Sequence, residues 1–194
     1  MGKIVVLMGK SAAGKDAVYK RMMRRGLLGL RRIVPYTTRP IRANEQAGRE
    51  YYFVTEEEAE RMAHAGKVIE RRSYHTVAGV WTYFTADDGQ IDAAENYLVI
   101  GTPEAYQGFR AWFGEQRLVP IYLYADDAER LLRSVKREQK QEHPNYAEVC
   151  RRFLADEADF SEEKLAEAGI MKRFYNKDLE QVITEITAYL SEVL

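Results

Sequence analysis

Apolar positions along the chain fall in short unbroken runs, separated by longer stretches with helical spacing. Residues 3–8 (Lys3, then Ile4-Val5-Val6-Leu7-Met8) lack polar alternation, the pattern of a strand buried on both faces. Residues 30–34, 97–100, 118–123 and 170–175 repeat it as further core strands. Between them, apolar residues recur at helical intervals over 17–23, 103–113, 126–141, 146–167 and 179–193. The second of these runs, 103–113, opens on Pro103 and stops at Gly114 when read with its flanks. Strands separated by helices predict an α/β fold with a parallel sheet covered on both faces. Residues 36–85 break the alternation. Strand-like pieces at 50–54, 67–71 and 80–85 flank one helix near 56–65 with Thr55 as its N-cap, a small α+β insertion rich in Arg and Tyr. The expected organisation is one domain: a core of 1–35, 86–132 and 168–194, an inserted α+β subdomain at 36–85 and a helical region at 133–167.

Composition narrows the function without naming it. A chain of 194 residues suits a single core of ample size. With 29 basic and 30 acidic side chains the formal charge is −1, so nothing global recruits nucleic acid or a membrane surface. Arg21, Arg24, Arg25, Arg31 and Arg32 read as a solvated helix end. The single cysteine, Cys150, excludes an intramolecular disulfide and reads as a buried or idle thiol. No apolar run reaches membrane-spanning length and no signal peptide precedes the first strand, so a cytoplasmic protein is expected. Monomer and homodimer both stay open.

The chemistry begins where the first strand ends. Gly9-Lys10-Ser11-Ala12-Ala13-Gly14-Lys15-Asp16 is Gly-x-x-x-x-Gly-Lys between a strand and a helix, the phosphate-binding P-loop. Its glycines let the backbone curl, amide N–H groups and the helix N-terminus point at phosphates, and Lys15 adds a positive charge. The position after the lysine ordinarily holds Ser or Thr, whose hydroxyl binds Mg²⁺. Here it is Asp16. A carboxylate beside a nucleotide's phosphates is tolerable only with a metal between them, so Asp16 is the candidate Mg²⁺ ligand.

Thr37-Thr38-Arg39-Pro40-Ile41-Arg42, Glu45, and Gly48-Arg49-Glu50-Tyr51-Tyr52-Phe53-Val54 carry a resemblance. They are similar to the acceptor segment of guanylate kinases, T-T-R-x-x-R, an acidic residue, then G-x-D/E-Y-x-F. The resemblance extends over nearly the whole chain, literal up to Glu70 and architectural beyond it. It implies ATP and GMP as substrates, the P-loop as the ATP site, and Arg39, Arg42 and Tyr51 gripping the acceptor phosphate. Guanidinium forks and a phenol suit phosphate oxygens. It also implies that Glu70 accepts from the guanine N1–H and amino group, with Tyr83 and Thr85 as the best matches to a later pocket stretch. Arg133, Arg137 and Arg152 match the lid arginines that stabilise charge in phosphoryl transfer. Asn176 matches the position near the adenine, or caps the following helix. Three departures stand out. Pro35-Tyr36 replaces a base-reading serine, Ala78 to Thr85 replaces G-x-Y-Y-G-T/S, and Ile100-Gly101-Thr102 replaces an acidic pair. Asp16 then compensates for the lost acids. The expected activity is ATP-dependent phosphorylation of a nucleoside monophosphate, GMP to GDP. Two alternatives are a phosphokinase acting on ribose 1,5-bisphosphate, whose family shares Gly-Lys-Asp, and a silent phosphopeptide-binding module of the same fold.

Overall fold

A computed structural model of the chain describes residues 1–42, 45–76 and 79–194. In chain order the elements are β1 (Ile4–Met8), α1 (Lys15–Arg24), β2 (Arg31–Arg32), β3 (Tyr36–Thr37), β4 (Tyr52–Phe53), α2 (Glu56–His64), β5 (Val68–Thr76), β6 (Gly79–Ala86), β7 (Tyr97–Ile100) and α3 (Pro103–Phe113). They continue as β8 (Leu118–Tyr124), α4 (Asp127–Glu138), α5 (Tyr146–Asp159), α6 (Glu162–Glu167), β9 (Arg173–Tyr175) and α7 (Leu179–Val193).

The core is a five-stranded parallel sheet in the order β2-β7-β1-β8-β9. All five side chains of the central strand β1 are buried, which is why its sequence shows no alternation. Ile4, Val6 and Met8 face Tyr106 and Phe109 of α3 together with Phe160 and Leu165. Val5 and Leu7 face Val18 and Met22 of α1 and the Val182, Ile183, Ile186 stripe of α7. Helices thus cover both faces of an α/β P-loop fold, and the crevice at the carboxyl ends of β1, β7 and β8 is where such sheets bind ligands.

Residues 36–86 form a second, four-stranded sheet, β4-β3-β6-β5, with α2 against it. The Thr55 hydroxyl accepts from Glu58 N–H (3.2 Å) and Thr55 N–H donates to the Glu58 carboxylate (2.8 Å), a full capping box. Tyr36 is structural: it stacks on Phe84 and donates to Asp88 at 2.6 Å. His75 and Trp81 lie on the β5–β6 hairpin, which runs from Val68 opposite Ala86 to Thr76 opposite Gly79.

Three expectations from the sequence need correction. Of residues 30–34 only Arg31–Arg32 pair in the sheet, because the Gln90 side chain takes both backbone groups of Val34 (2.7 and 3.2 Å). The single helix expected over 146–167 is two. Phe160 turns inward to stack on Tyr122, and Ser161 caps a new helix, α6. Cys150 is exposed on α5. Among the described residues no helix is long and apolar enough to cross a membrane.

Candidate active site

β1 runs directly into the loop 9–14, which turns through positive φ at Ala12 (60°) and Gly14 (100°) before α1 starts at Lys15. Only glycine fits at 14: a Cβ there would lie 2.2 Å from Asn176 Nδ2. That nitrogen donates to the Ala13 carbonyl at 2.7 Å, so the end of β9 clamps the loop from outside. No side chain caps the N-terminus of α1, which stays open to an anion. Lys15 Nζ donates to the carbonyls of Gly9 and Lys10 (3.0 Å to the latter), and the loop curls around its own cation. Burial pushes the Lys15 pKa down to about 8, opposed by the Asp156 and Asp16 carboxylates and reinforced by Arg152 and Arg130.

Asp16 is exposed in the first turn of α1. Among the described residues no cluster of three or more His, Cys, Asp or Glu could hold a metal ion. A lone carboxylate at a phosphate site nevertheless fits Mg²⁺, which takes one or two protein carboxylates and completes its shell with phosphate oxygens and water.

Helices α4 and α5 close over the loop. At their centre sits Arg130, 1 % exposed, and nothing in its sequence surroundings marks it as inward-facing. Its Nε donates to the Ser11 carbonyl (3.2 Å), Nη1 to Asp127 and Glu157 (3.2 Å to the latter) and Nη2 to Asp156 (3.3 Å), with Phe153 under the guanidinium. Asp156 in turn accepts the Ser11 N–H (2.7 Å), and Glu157 accepts from Lys10 Nζ (2.6 Å). Arg133 reaches the carbonyls of Ala12 and Asn176 at 3.5 Å, and Arg152 reaches the Ser11 hydroxyl at 3.3 Å. Arg137 is exposed and stands on the rim of a 40 Å³ cavity beside Ser11, Arg130 and Arg152.

The second half of the site comes from the small sheet. Thr37 Oγ1 donates to the Thr82 carbonyl (3.0 Å) and Thr82 N–H donates to Thr38 Oγ1 (2.9 Å), pinning the segment that carries Arg39 onto β6. Arg39 is buried with both Nη groups on Glu45 (2.7 and 2.6 Å), and its guanidinium lies 4.9 Å over the Tyr51 ring. It was expected to hold a substrate phosphate, yet its fork is filled by Glu45, which a phosphate would have to displace. Arg42 is exposed and lends Glu45 only its backbone N–H (3.0 Å). Tyr51 packs edge-on against Tyr83, and Tyr83 against Tyr74. Burial raises the Tyr51 pKa, Tyr83 adds to it, and the Asp16 carboxylate is near enough to contribute. Arg72 of β5 donates to Thr102 Oγ1 (3.3 Å), just past the end of β7, so the small sheet borders the carboxyl end of the core sheet, where the P-loop leaves β1.

Glu70 does not stand free as expected. It is buried, with Thr85 Oγ1 donating to Oε1 (2.8 Å) and Arg72 donating Nε to Oε2 (2.9 Å) and Nη2 to Oε1 (3.4 Å). α3 presses against it so closely that a Cβ on Gly108 would lie 2.4 Å from Glu70 Cβ. Arg72 went unnoticed in the sequence, although two-residue spacing on a strand puts it on the same face as Glu70.

The family model for guanylate kinase matches residues 1–82, the P-loop and the acceptor segment together. The chain is similar to guanylate kinases. A guanylate kinase of Porphyromonas gingivalis is 25% identical over 195 residues, spanning 100% of this chain and 99% of that protein. One of Homo sapiens is 42% identical over 72 residues, 36% of each chain. The crystal structure of guanylate kinase from Anaplasma phagocytophilum shares the fold with a TM-score of 0.66 at 22% identity, covering 100% of this chain and 87% of that one. Likeness at about 25% identity thus runs end to end, and identity of about 42% covers little more than a third of the chain.

Proposed function

We propose that the chain transfers the γ-phosphoryl group of ATP to guanosine monophosphate, giving ADP and GDP. The observation that supports this reading is that the small sheet borders the P-loop end of the core: Arg72 of β5 reaches Thr102, just past the carboxyl end of β7, beside the strand that feeds the P-loop. In this reading the amides of 9–16 and the open end of α1 hold the ATP phosphates, and Lys15 bridges them. Mg²⁺, when bound at Asp16, neutralises phosphate charge. Arg42 and Tyr51 bind the acceptor phosphate, and Arg39 joins them when Glu45 yields. Arg133, Arg137 and Arg152 stabilise charge on the group in transit, and lid closure excludes water that would otherwise hydrolyse ATP. No general base is needed, because the attacking oxygen belongs to a phosphate already ionised near neutral pH. Base preference rests on the surroundings of Glu70, Tyr83 and Thr85.

An assay for ADP release with separate acceptors tests the proposal. GMP-dependent release supports it. Release with ribose 1,5-bisphosphate alone replaces it with sugar-phosphate phosphorylation, and no release with either of these or with any other nucleoside monophosphate favours the phosphopeptide-binding module.

A further inference from the structure

The mechanism above leaves Arg72 unused, although it is a cation at the border of the two sheets. Glu70 and Arg72 project from the same face of β5, and the guanidinium engages the carboxylate side-on through Nε and Nη2. With Thr85 also on Oε1 and a side-chain exposure of 3%, Glu70 is a poor acceptor for anything else. The opposite edge of the guanidinium is differently placed. A guanidinium carries five N–H groups, and the edge formed by Nη1 and the second hydrogen of Nη2 makes a long contact to Thr102 Oγ1 (3.3 Å), with the Tyr74 hydroxyl as a further neighbour of Arg72 that a ligand would compete with. The Thr102 oxygen already accepts the Ala105 N–H as the N-cap of α3. Arg72 retains 11% side-chain exposure. The Tyr51 hydroxyl is close enough to interact with its charge.

We propose that Arg72, held in place by Glu70, reads the acceptor base by donating its remaining edge to O6 and N7 of a 6-oxopurine. Glu70 is then a positioning residue, and recognition moves from a carboxylate to a guanidinium. A planar fork of two donors matches the two adjacent acceptors on the O6/N7 side of guanine. Adenine presents an amino donor at position 6 and is rejected. Hypoxanthine keeps both acceptors and lacks only the 2-amino group, which has no partner in this arrangement. Guanosine and inosine monophosphates are therefore equivalent acceptors. This deepens the proposed monophosphate kinase activity and rests on it.

The test is kcat/KM of the full chain with GMP, IMP, 7-deaza-GMP and AMP, repeated in Arg72→Lys and Glu70→Gln. In the wild type GMP and IMP agree to within a few-fold, and loss of N7 lowers turnover by ~10-fold. In Arg72→Lys the 7-deaza penalty disappears while the KM for ATP is unchanged, and Glu70→Gln weakens the penalty without abolishing it. A merely structural Arg72 would lower all acceptors equally and overturns the inference. A strong preference for GMP over IMP with no 7-deaza penalty also overturns it, since the carboxylate would then be reading the 2-amino side. The wild-type comparison needs no variant to fold. Transfer with the wrong ranking refutes this inference alone. Absence of transfer to any purine monophosphate, including transfer to ribose 1,5-bisphosphate instead, refutes the proposed reaction and this inference with it.

Discussion

Replacing Lys15 with methionine separates the catalytic value of the P-loop cation from its cost to the fold. Burial pushes the Lys15 pKa from the ordinary 10.5 to about 8. At pH 7 both the folded and the unfolded chain carry the proton. Between pH 8 and 10.5 the unfolded chain still holds it while the folded chain has released it, so stability rises with pH across that window. At about 1.4 kcal/mol per pH unit the gain is about 3 kcal/mol. Lys15→Met has no such proton. Its stability relative to wild type should therefore fall by about 3 kcal/mol between pH 7 and 10.5. Tyr51, Tyr74 and Tyr122, whose pKa values burial raises, pull stability down above pH 10, but they do so in both proteins and cancel in the difference. Urea unfolding at half-unit pH steps reads the effect. A difference that stays flat from pH 7 to 10.5 would refute the desolvation argument, whatever the variant does to activity.

The same lysine sets a kinetic expectation: kcat/KM for ATP declines above pH about 8, where the free enzyme loses the charge, while Lys15→Met is inactive at every pH. Arg130→Ala removes the cation shared by Asp156, Glu157 and the Ser11 carbonyl. With Glu157 and Asp127 half exposed, a loss of ~3 kcal/mol is expected, lowering the melting temperature by roughly 6–12 °C. A shift under 1 °C in calorimetry would contradict the latch. Asp16→Ala should lose Mg²⁺-dependent transfer far more than Asp16→Glu or Asp16→Ser, and equal activity in all three would remove Asp16 from the metal. Gly14→Ala puts a Cβ where Asn176 Nδ2 now sits and forces a left-handed alanine, so a cost above ~2 kcal/mol and weakened ATP binding are expected, read by denaturation and by nucleotide titration.

Much of this protein is legible in its sequence because local physics suffices. An all-apolar β1 fixes a strand buried on both sides, and the glycines and lysine beside it fit the curled turn of a phosphate-binding loop. Pro103 and Gly114 bound α3, and Thr55 with Glu58 starts α2, through hydrogen bonds that span three or four residues. What the sequence left open depends on which charged side chains the fold turns toward one another. Whether Arg39 and Glu70 stand free depends on whether a carboxylate or a guanidinium lies within 3 Å. Glu45 and Arg72 do, although spacing alone does not show that either side chain turns to its neighbour. Arg130 looks like any arginine on an exposed helix until α5 carries Asp156 and Glu157 across to it, 26 and 27 residues away. Periodicity records which face of an element is buried. It does not record which charge on another element comes to meet that face, and in this cleft that pairing decides what each charged group can bind.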